Sequence, residues 1–167
     1  MAILEIRKYP EKVLLEKAHP VEQVDRSIYK LADDMAETMY EAPGIGLAAN
    51  QVGETSRVIV VDLAPKKPES NLIVLVNPEI VAAEGLISTE EGCLSVPDYQ
   101  ADVKRFQKVV VRALNLEGRP VEIEAEDLFA VVLQHEIDHL NGTLFIDRIS
   151  RLKRDLYKRR MRKKLAK

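Results

Sequence analysis

The chain reads as an α+β protein in which antiparallel or mixed β-sheets pack around a central helix, followed by a basic C-terminal helix. Three observations carry this. Four stretches rich in β-branched residues, Arg57–Leu63, Asn71–Asn77, Lys108–Leu114 and Val121–Ala125, read as strands. The apolar run Leu128–Leu133 continues into His135-Glu136-Ile137-Asp138-His139 and meets Gly142, where a helix stops. Residues 151–167 combine helical spacing of apolar residues with ten Lys or Arg.

Each element has a local reason. Asp25–Glu41 is amphipathic, with Ile28, Leu31, Met35 and Met39 on one side, and Pro43-Gly44 ends it. Pro65–Ser70 reads as an exposed loop between two strands rather than a domain boundary. Asn115–Pro120 contains Glu117-Gly118 and reads as the hairpin turn joining the last two strands. Asp127, or the residue before it, is expected to cap the helix that follows. No internal repeat or low-complexity segment interrupts the chain, so residues 1–167 are expected to form one catalytic domain.

Composition narrows the class. A hydrophobic content of 46% is ordinary for a globular chain. One cysteine excludes an intramolecular disulfide and favours a reducing compartment. No apolar run is long enough to span a bilayer, and the start lacks the charged and apolar regions of a signal peptide. A cytoplasmic, monomeric protein without membrane contact is expected.

The pattern H-E-x-x-H carries the chemistry. On a helix, His135 and His139 share one face and can hold a single metal ion. Glu136 points elsewhere, placed to take a proton from a water that the ion activates. With only three His in the chain, two in this pattern, chance surface histidines are the weaker reading. A catalytic site of this type needs a third protein ligand and one open position. The protease pattern that continues to a third His fails here, with Phe145 at that place. His19, between Ala18 and Pro20, reads better as a solvated loop residue. Cys93, in Glu90-Glu91-Gly92-Cys93-Leu94-Ser95, could be a buried apolar residue or a nucleophile, but the histidines that would activate it belong to the metal pattern. As a thiolate it completes a Cys-His-His set that tolerates Fe(II), Zn(II), Co(II) or Ni(II). Gly44-Ile45-Gly46 is no nucleotide loop: Ala49 stands where a third Gly belongs, and a helix precedes it. These glycines read as allowing close approach of backbone to a ligand.

Gly44-Ile45-Gly46-Leu47-Ala48-Ala49-Asn50-Gln51, Glu91-Gly92-Cys93-Leu94-Ser95 and Gln134-His135-Glu136-Ile137-Asp138-His139 together resemble the three ordered motifs of bacterial peptide deformylases, over nearly the whole chain. The sequence departs from that pattern at Asn50, where many members carry Pro or Thr, and at Gln100, where some carry an Arg implicated in substrate contact. The resemblance implies removal of the N-formyl group from N-formylmethionyl nascent peptides. Fe(II) is the ion expected in the cell, with Zn(II), Ni(II) or Co(II) possible in purified protein. The resemblance further implies that Gln51 and the backbone N–H of Leu94 stabilise the reacting oxyanion. It places Ile45, Leu128, Val131 and Val132 around the first side chain of the substrate, with Gly46 and Gly92 beside its backbone. A metallo-endopeptidase of other specificity is the alternative enzyme. A structural metal protein that binds RNA is a third reading, but structural sites have four protein ligands and only three are found.

The net charge of −2 hides an asymmetry. Residues 151–167 carry ten Lys or Arg and one Asp, hence +9, while the other 150 carry 15 Lys or Arg and 26 Asp or Glu, hence −11. Leu152, Leu156 (with Tyr157) and Met161 recur at helical spacing after Ser150, a cap residue, and are expected to cover apolar surface. Such a helix either docks on an acidic body or binds a polyanion, most naturally ribosomal RNA. Every assigned ligand and donor precedes it, so its removal is expected to leave the site complete.

Overall fold

The structure, a computed structural model, describes residues 2–166. Helix α1 spans Arg26–Glu41, and the Asp25 carboxylate accepts hydrogen bonds from the backbone N–H groups of Ser27 and Ile28 at its start. Two short strands and a long one follow: β1 (Gly46–Ala48), β2 (Val58–Val61) and β3 (Ile73–Glu84). A hairpin of β4 (Ile87–Cys93) and β5 (Val96–Arg105) comes next, then β6 (Lys108–Leu114) and β7 (Pro120–Glu126). Helix α2 covers Asp127–Leu140 and helix α3 Arg151–Leu165.

The strands form a five-stranded sheet in the order β1-β2-β3-β6-β7 and a separate two-stranded sheet of β4 and β5. All these strand pairs are antiparallel. The one parallel contact among the described residues is an isolated bridge between His19 and Ser56.

Strand β2 explains how the large sheet is covered. Its four residues are all buried, and successive side chains leave opposite faces. Val58 and Val60 join Ile28, Met35 and Met39 of α1 in one apolar cluster. Ile59 and Val61 join Leu133, Ile137 and Leu140 of α2 in another. Each such aliphatic side chain contributes roughly 1.5–3 kcal/mol on burial. A third cluster lies under the β4–β5 hairpin, where Val96 and Val103 meet Leu14, Phe145, Tyr157 and Met161.

Helix α2 therefore sits between the two sheets, and ten of its fourteen residues are buried, Gln134, Glu136, Asp138 and His139 among them. Polar groups inside must find partners. Gln134 does so like a rung of sheet: its Oε1 accepts from Phe106 N at 3.0 Å and its Nε2 donates to Phe106 O at 2.8 Å. The start of α2 differs from expectation. No side chain caps it, and Asp127 adopts φ 54° while accepting from Gln107 Nε2 at 3.2 Å. At the other end Gly142, at φ 75°, fits as read: a Cβ there would stand 2.5 Å from Leu15 O.

The sequence reading missed β1, β4 and β5, and cut β3 short by half. Helix α3 forms as expected, with Ser150 Oγ accepting from Lys153 N at 3.2 Å. Its covered stripe is different, however. Leu152 and Leu156 are 70% and 53% exposed, while Tyr157 and Met161 are buried. Helical spacing permits either face inward, and the aromatic pocket of Tyr9 and Tyr99 selects Tyr157. Lys167, the last charge of this segment, lies outside the described residues.

Candidate metal centre

Cys93 ends β4 where the chain turns into β5, and a register shift follows Gly92. That irregularity turns the thiol toward α2, with Ser95 N donating to Sγ at 3.4 Å. His135 and His139 lie one helical turn apart. Their Nε2 atoms are 3.2 Å apart, and Cys93 Sγ is 3.3 Å from His139 Nε2. One donor atom from each of the three residues lies within 4.8 Å of the others. His135 Nδ1 is already engaged by Glu91 Oε1 at 2.9 Å, which leaves Nε2 facing the other two donors. One sulfur and two imidazole nitrogens, with no fourth protein donor in this group, suit a divalent ion held with an open position. His19 is exposed and takes no part.

The charges around these donors differ sharply. Burial disfavours a charged His135, yet the contacts with Cys93 and Glu91 and the charge of Glu136 outweigh it and raise its pKa well above 6.5. His139 is pushed well below that value by burial and by His135 and Arg105 beside it. Glu136 is raised to about 7, first by burial, with Glu91 and Asp138 adding to the effect against the pull of His135 and Arg105. A carboxylate in that range both takes and returns a proton at neutral pH. Its Oε1 is buried without a hydrogen-bond partner among the described residues, next to the three donors.

A cavity of about 730 Å³ opens onto this group. Of the residues singled out from sequence, Ile45, Gly46, Gln51, Gly92, Cys93, Leu94, Leu128, Val131, Val132, His135 and Glu136 all line it, and His139 lies behind them. Its walls come from the Gly44–Gly46 segment leading into β1, from β4, and from α2. Gln100 also lines it, paired across the hairpin with Gly92. Gly46 has a further reason to be glycine: a Cβ there would lie 2.5 Å from Glu136 Oε2, so it makes room for that carboxylate.

Gln51 sits on a short 3₁₀ turn, Ala49–Val52. Its Oε1 accepts from Ala48 N at 3.0 Å, and its Nε2 donates to Ser95 Oγ at 3.1 Å and lies 3.6 Å from Cys93 Sγ. Asn50 is fully buried, its Nδ2 donating to Glu16 O at 2.8 Å. Sequence reasoning missed Ser95, Arg105 and the contact of Glu91 with His135. Glu91 and Ser95 bound the Glu91-Gly92-Cys93-Leu94-Ser95 motif, whereas Arg105 has no local signal in the sequence.

The comparisons with known proteins agree with this geometry. The family model described as polypeptide deformylase matches residues 3–155. A peptide deformylase of Syntrophobacter fumaroxidans is 58% identical over 165 residues, covering 99% of this chain and 97% of its own. The crystal structure of a peptide deformylase from Legionella pneumophila superimposes with a TM-score of 0.90 at 48% identity, covering 97% of this chain and 95% of that one. A class I type b peptide deformylase from Acinetobacter baumannii, with Met-Ala-Ser bound, gives 0.82 at 42% identity over 89% of this chain and 99% of its own. By sequence, by fold and by the donors gathered at one cavity, the chain belongs to the peptide deformylase family.

Proposed function

We propose that the chain hydrolyses the formamide of N-formylmethionyl nascent peptides, releasing formate and a free N-terminus. One observation carries the reading: a single cavity is lined by Cys93 and His135, with His139 behind them, by a Glu136 carboxylate with an unpartnered oxygen, and by the apolar side chains of Ile45, Leu128, Val131 and Val132. Cys93, His135 and His139 are the residues that would hold the divalent ion. When bound, the ion would polarise the formyl oxygen and make water a stronger nucleophile near neutral pH.

The remaining chemistry falls to the chain. Glu136 takes a proton from the attacking water as its oxygen bonds to the formyl carbon. Gln51 Nε2 donates to Ser95 Oγ and, more weakly, to Cys93 Sγ at 3.6 Å; the hydrogen on the sulfur side turns to the developing oxyanion, which Leu94 N–H also meets. As the C–N bond breaks, Glu136 gives its proton to the departing amine. Ile45, Leu128, Val131 and Val132 enclose an unbranched side chain, and methionine suits such a wall. Gly46 and Gly92 lie beside the peptide backbone; each belongs to a strand with an unpaired edge.

The test is formate release from formyl-Met-Ala-Ser, with unformylated peptides alongside. Glu136→Gln should keep its metal and lose about 10²–10⁴-fold in turnover. Internal cleavage of the unformylated peptide, or a mutant with more than a tenth of wild-type kcat, would overturn the assignment.

Fe(II) is proposed as the cellular ion on the resemblance to the family, the Cys-His-His set itself also accommodating Zn(II), Co(II) or Ni(II). The iron form should then lose activity in air while a Ni(II) form persists. We take residues 1–167 as one catalytic domain, working as a monomer in the cytoplasm. No helix among the described residues is long and apolar enough to cross a membrane. We further propose that α3 contacts ribosomal RNA, since Arg151, Lys153, Arg159, Arg162 and Lys163 are exposed. Pelleting with ribosomes should weaken steeply with salt and vanish on truncation at Ser150.

A further inference from the structure

Glu91, Arg105 and Asp138 are buried charged residues with no part in the proposed proton transfers. They form one connected chain. Glu91 Oε1 lies 2.9 Å from His135 Nδ1, and both oxygens of Glu91 accept from Arg105, at 2.8 Å each. Arg105 Nη1 donates to Asp138 Oδ2 at 2.6 Å. Arg148, from the 3₁₀ turn Phe145–Arg148, donates to both oxygens of Asp138 at 2.5 and 2.8 Å.

The path of this chain gives it a purpose. It leaves α2 at His135, crosses β4 and β5, and returns to α2 at Asp138. It thus fastens the helix that carries His135 and His139 to the hairpin that carries Cys93. Two carboxylates and two guanidiniums balance within it. Buried pairs of this kind resist sliding, because any shift leaves a charge unpaired away from water. The bidentate contact between Arg105 and Glu91 adds direction, and the Glu91 contact fixes the plane of the His135 ring.

We infer that Asp138 is a positioning residue for the metal centre, setting the His135 ring and the hairpin-to-helix spacing through Arg105 and Glu91. The inference rests on Cys93, His135 and His139 holding an ion, and on nothing about the substrate. The competing account is that the network only stabilises the fold.

Co(II) titration of the full-length protein against a chelator separates the two, read by dissociation constant and by the thiolate-to-cobalt and d–d absorption bands. Asp138→Asn keeps the size of the side chain and deletes its charge. It should weaken Co(II) binding about 10–100-fold and shift the bands. Arg148→Gln, at a side chain that is 47% exposed, should fold readily and show a smaller change of the same sign, with Arg148→Lys restoring it in part. Glu91→Gln combined with Asp138→Asn should lose much less than the sum of the two, since both act along one path. Wild-type affinity and bands in both Asp138→Asn and Arg148→Gln, whatever their melting temperatures, would overturn the inference. Failure of wild type to take up Co(II) would overturn the metal reading and this inference with it, leaving formate release as a separate question.

Discussion

Gly46 and Glu136, ninety residues apart in sequence, share one wall of the cavity: a Cβ on the glycine would stand 2.5 Å from Oε2 of the carboxylate and 3.0 Å from Val132 Cγ1. Oε2 is the far end of a flexible side chain that lines the cavity, so it is the group that would give way, while Val132 is packed on the buried side of α2. Gly46→Ala should therefore displace the Glu136 carboxylate while sparing the three metal donors. Turnover on formyl-Met-Ala-Ser should fall by about 10–100-fold, less than the roughly 10²–10⁴-fold expected for loss of the proton-transfer group itself. Metal content should stay stoichiometric. Unchanged kcat in a variant that folds would show that the carboxylate has slack.

Gln51 is held at both ends of its amide, by Ala48 N and by Ser95 Oγ. Gln51→Leu removes the oxyanion donor and should cost about 10²–10³-fold in kcat, with little change in KM. Ser95→Ala only frees the amide to rotate, so its loss should be several-fold smaller. Equal losses in the two variants would mean that Ser95 itself meets the substrate.

These two cases show where sequence sufficed. The donors Cys93, His135 and His139 were legible because the chemistry of a metal ion demands particular residue types, and few were available. The β4–β5 hairpin was not, since Glu90-Glu91-Gly92-Cys93 offers neither a β-branched run nor clean alternation. Arg105 was also invisible: its partners Glu91 and Asp138 lie 14 and 33 residues away, and such pairing leaves no local trace. The inward face of α3 was undetermined for a different reason. Leu152 with Leu156 and Tyr157 with Met161 have the same spacing, and only the body decides between them.

Asp62 predicts a pH response. It lies just past β2 and accepts from Tyr40 Oη and Ser70 Oγ, both at 2.6 Å. Burial alone would raise its pKa, but these bonds and those from Ala64 and Asn71 outweigh it and lower it from 3.8 to about 2. A folded-state value below the unfolded one contributes stability that is present above about pH 4 and lost as pH falls toward 2. Tyr40 is raised from 10.0 to about 12, by burial and by Asp62, so its contribution is lost as pH rises from 10 toward 12. Urea midpoints of wild type minus Asp62→Asn should hence be flat from pH 5 to 9 and shrink below pH 4. A difference that instead grew in acid would contradict the bonding described.

Tyr157 and Leu152 make a paired prediction for α3. Tyr157 is 2% exposed, its ring centroid 4.9 Å from that of Tyr99, with the guanidinium of Arg160 lying over both rings. Tyr157→Ala should cost about 3–5 kcal/mol of stability by analogy with other large aromatic truncations. Leu152→Ala, at 70% exposure, should change it by no more than about 0.5 kcal/mol. Similar thermal shifts in both would put the stripe back on the leucines. Truncation at Ser150 gains a consequence that the sequence did not suggest. Tyr99 and Asp98 line the cavity, Lys164 Nζ lies 3.7 Å from Asp98, and Tyr99 packs on Tyr157, so loss of α3 loosens one cavity wall.

The unpaired borders of the two sheets carry a hazard as well as a use. Strand β1 ends the large sheet and β4 pairs only with β5, so each presents free backbone N–H and C=O groups at the cavity. A surface that accepts one extended chain accepts others, including the same border on a second molecule, which is how sheets fuse into aggregates. Here the exposure is limited by shape and charge. β1 is three residues long, and the exposed Glu90 puts a carboxyl group on the other border. Two identical molecules meeting at β4 would bring acid against acid. A single peptide strand, lying between the borders, would occupy the space such pairing needs.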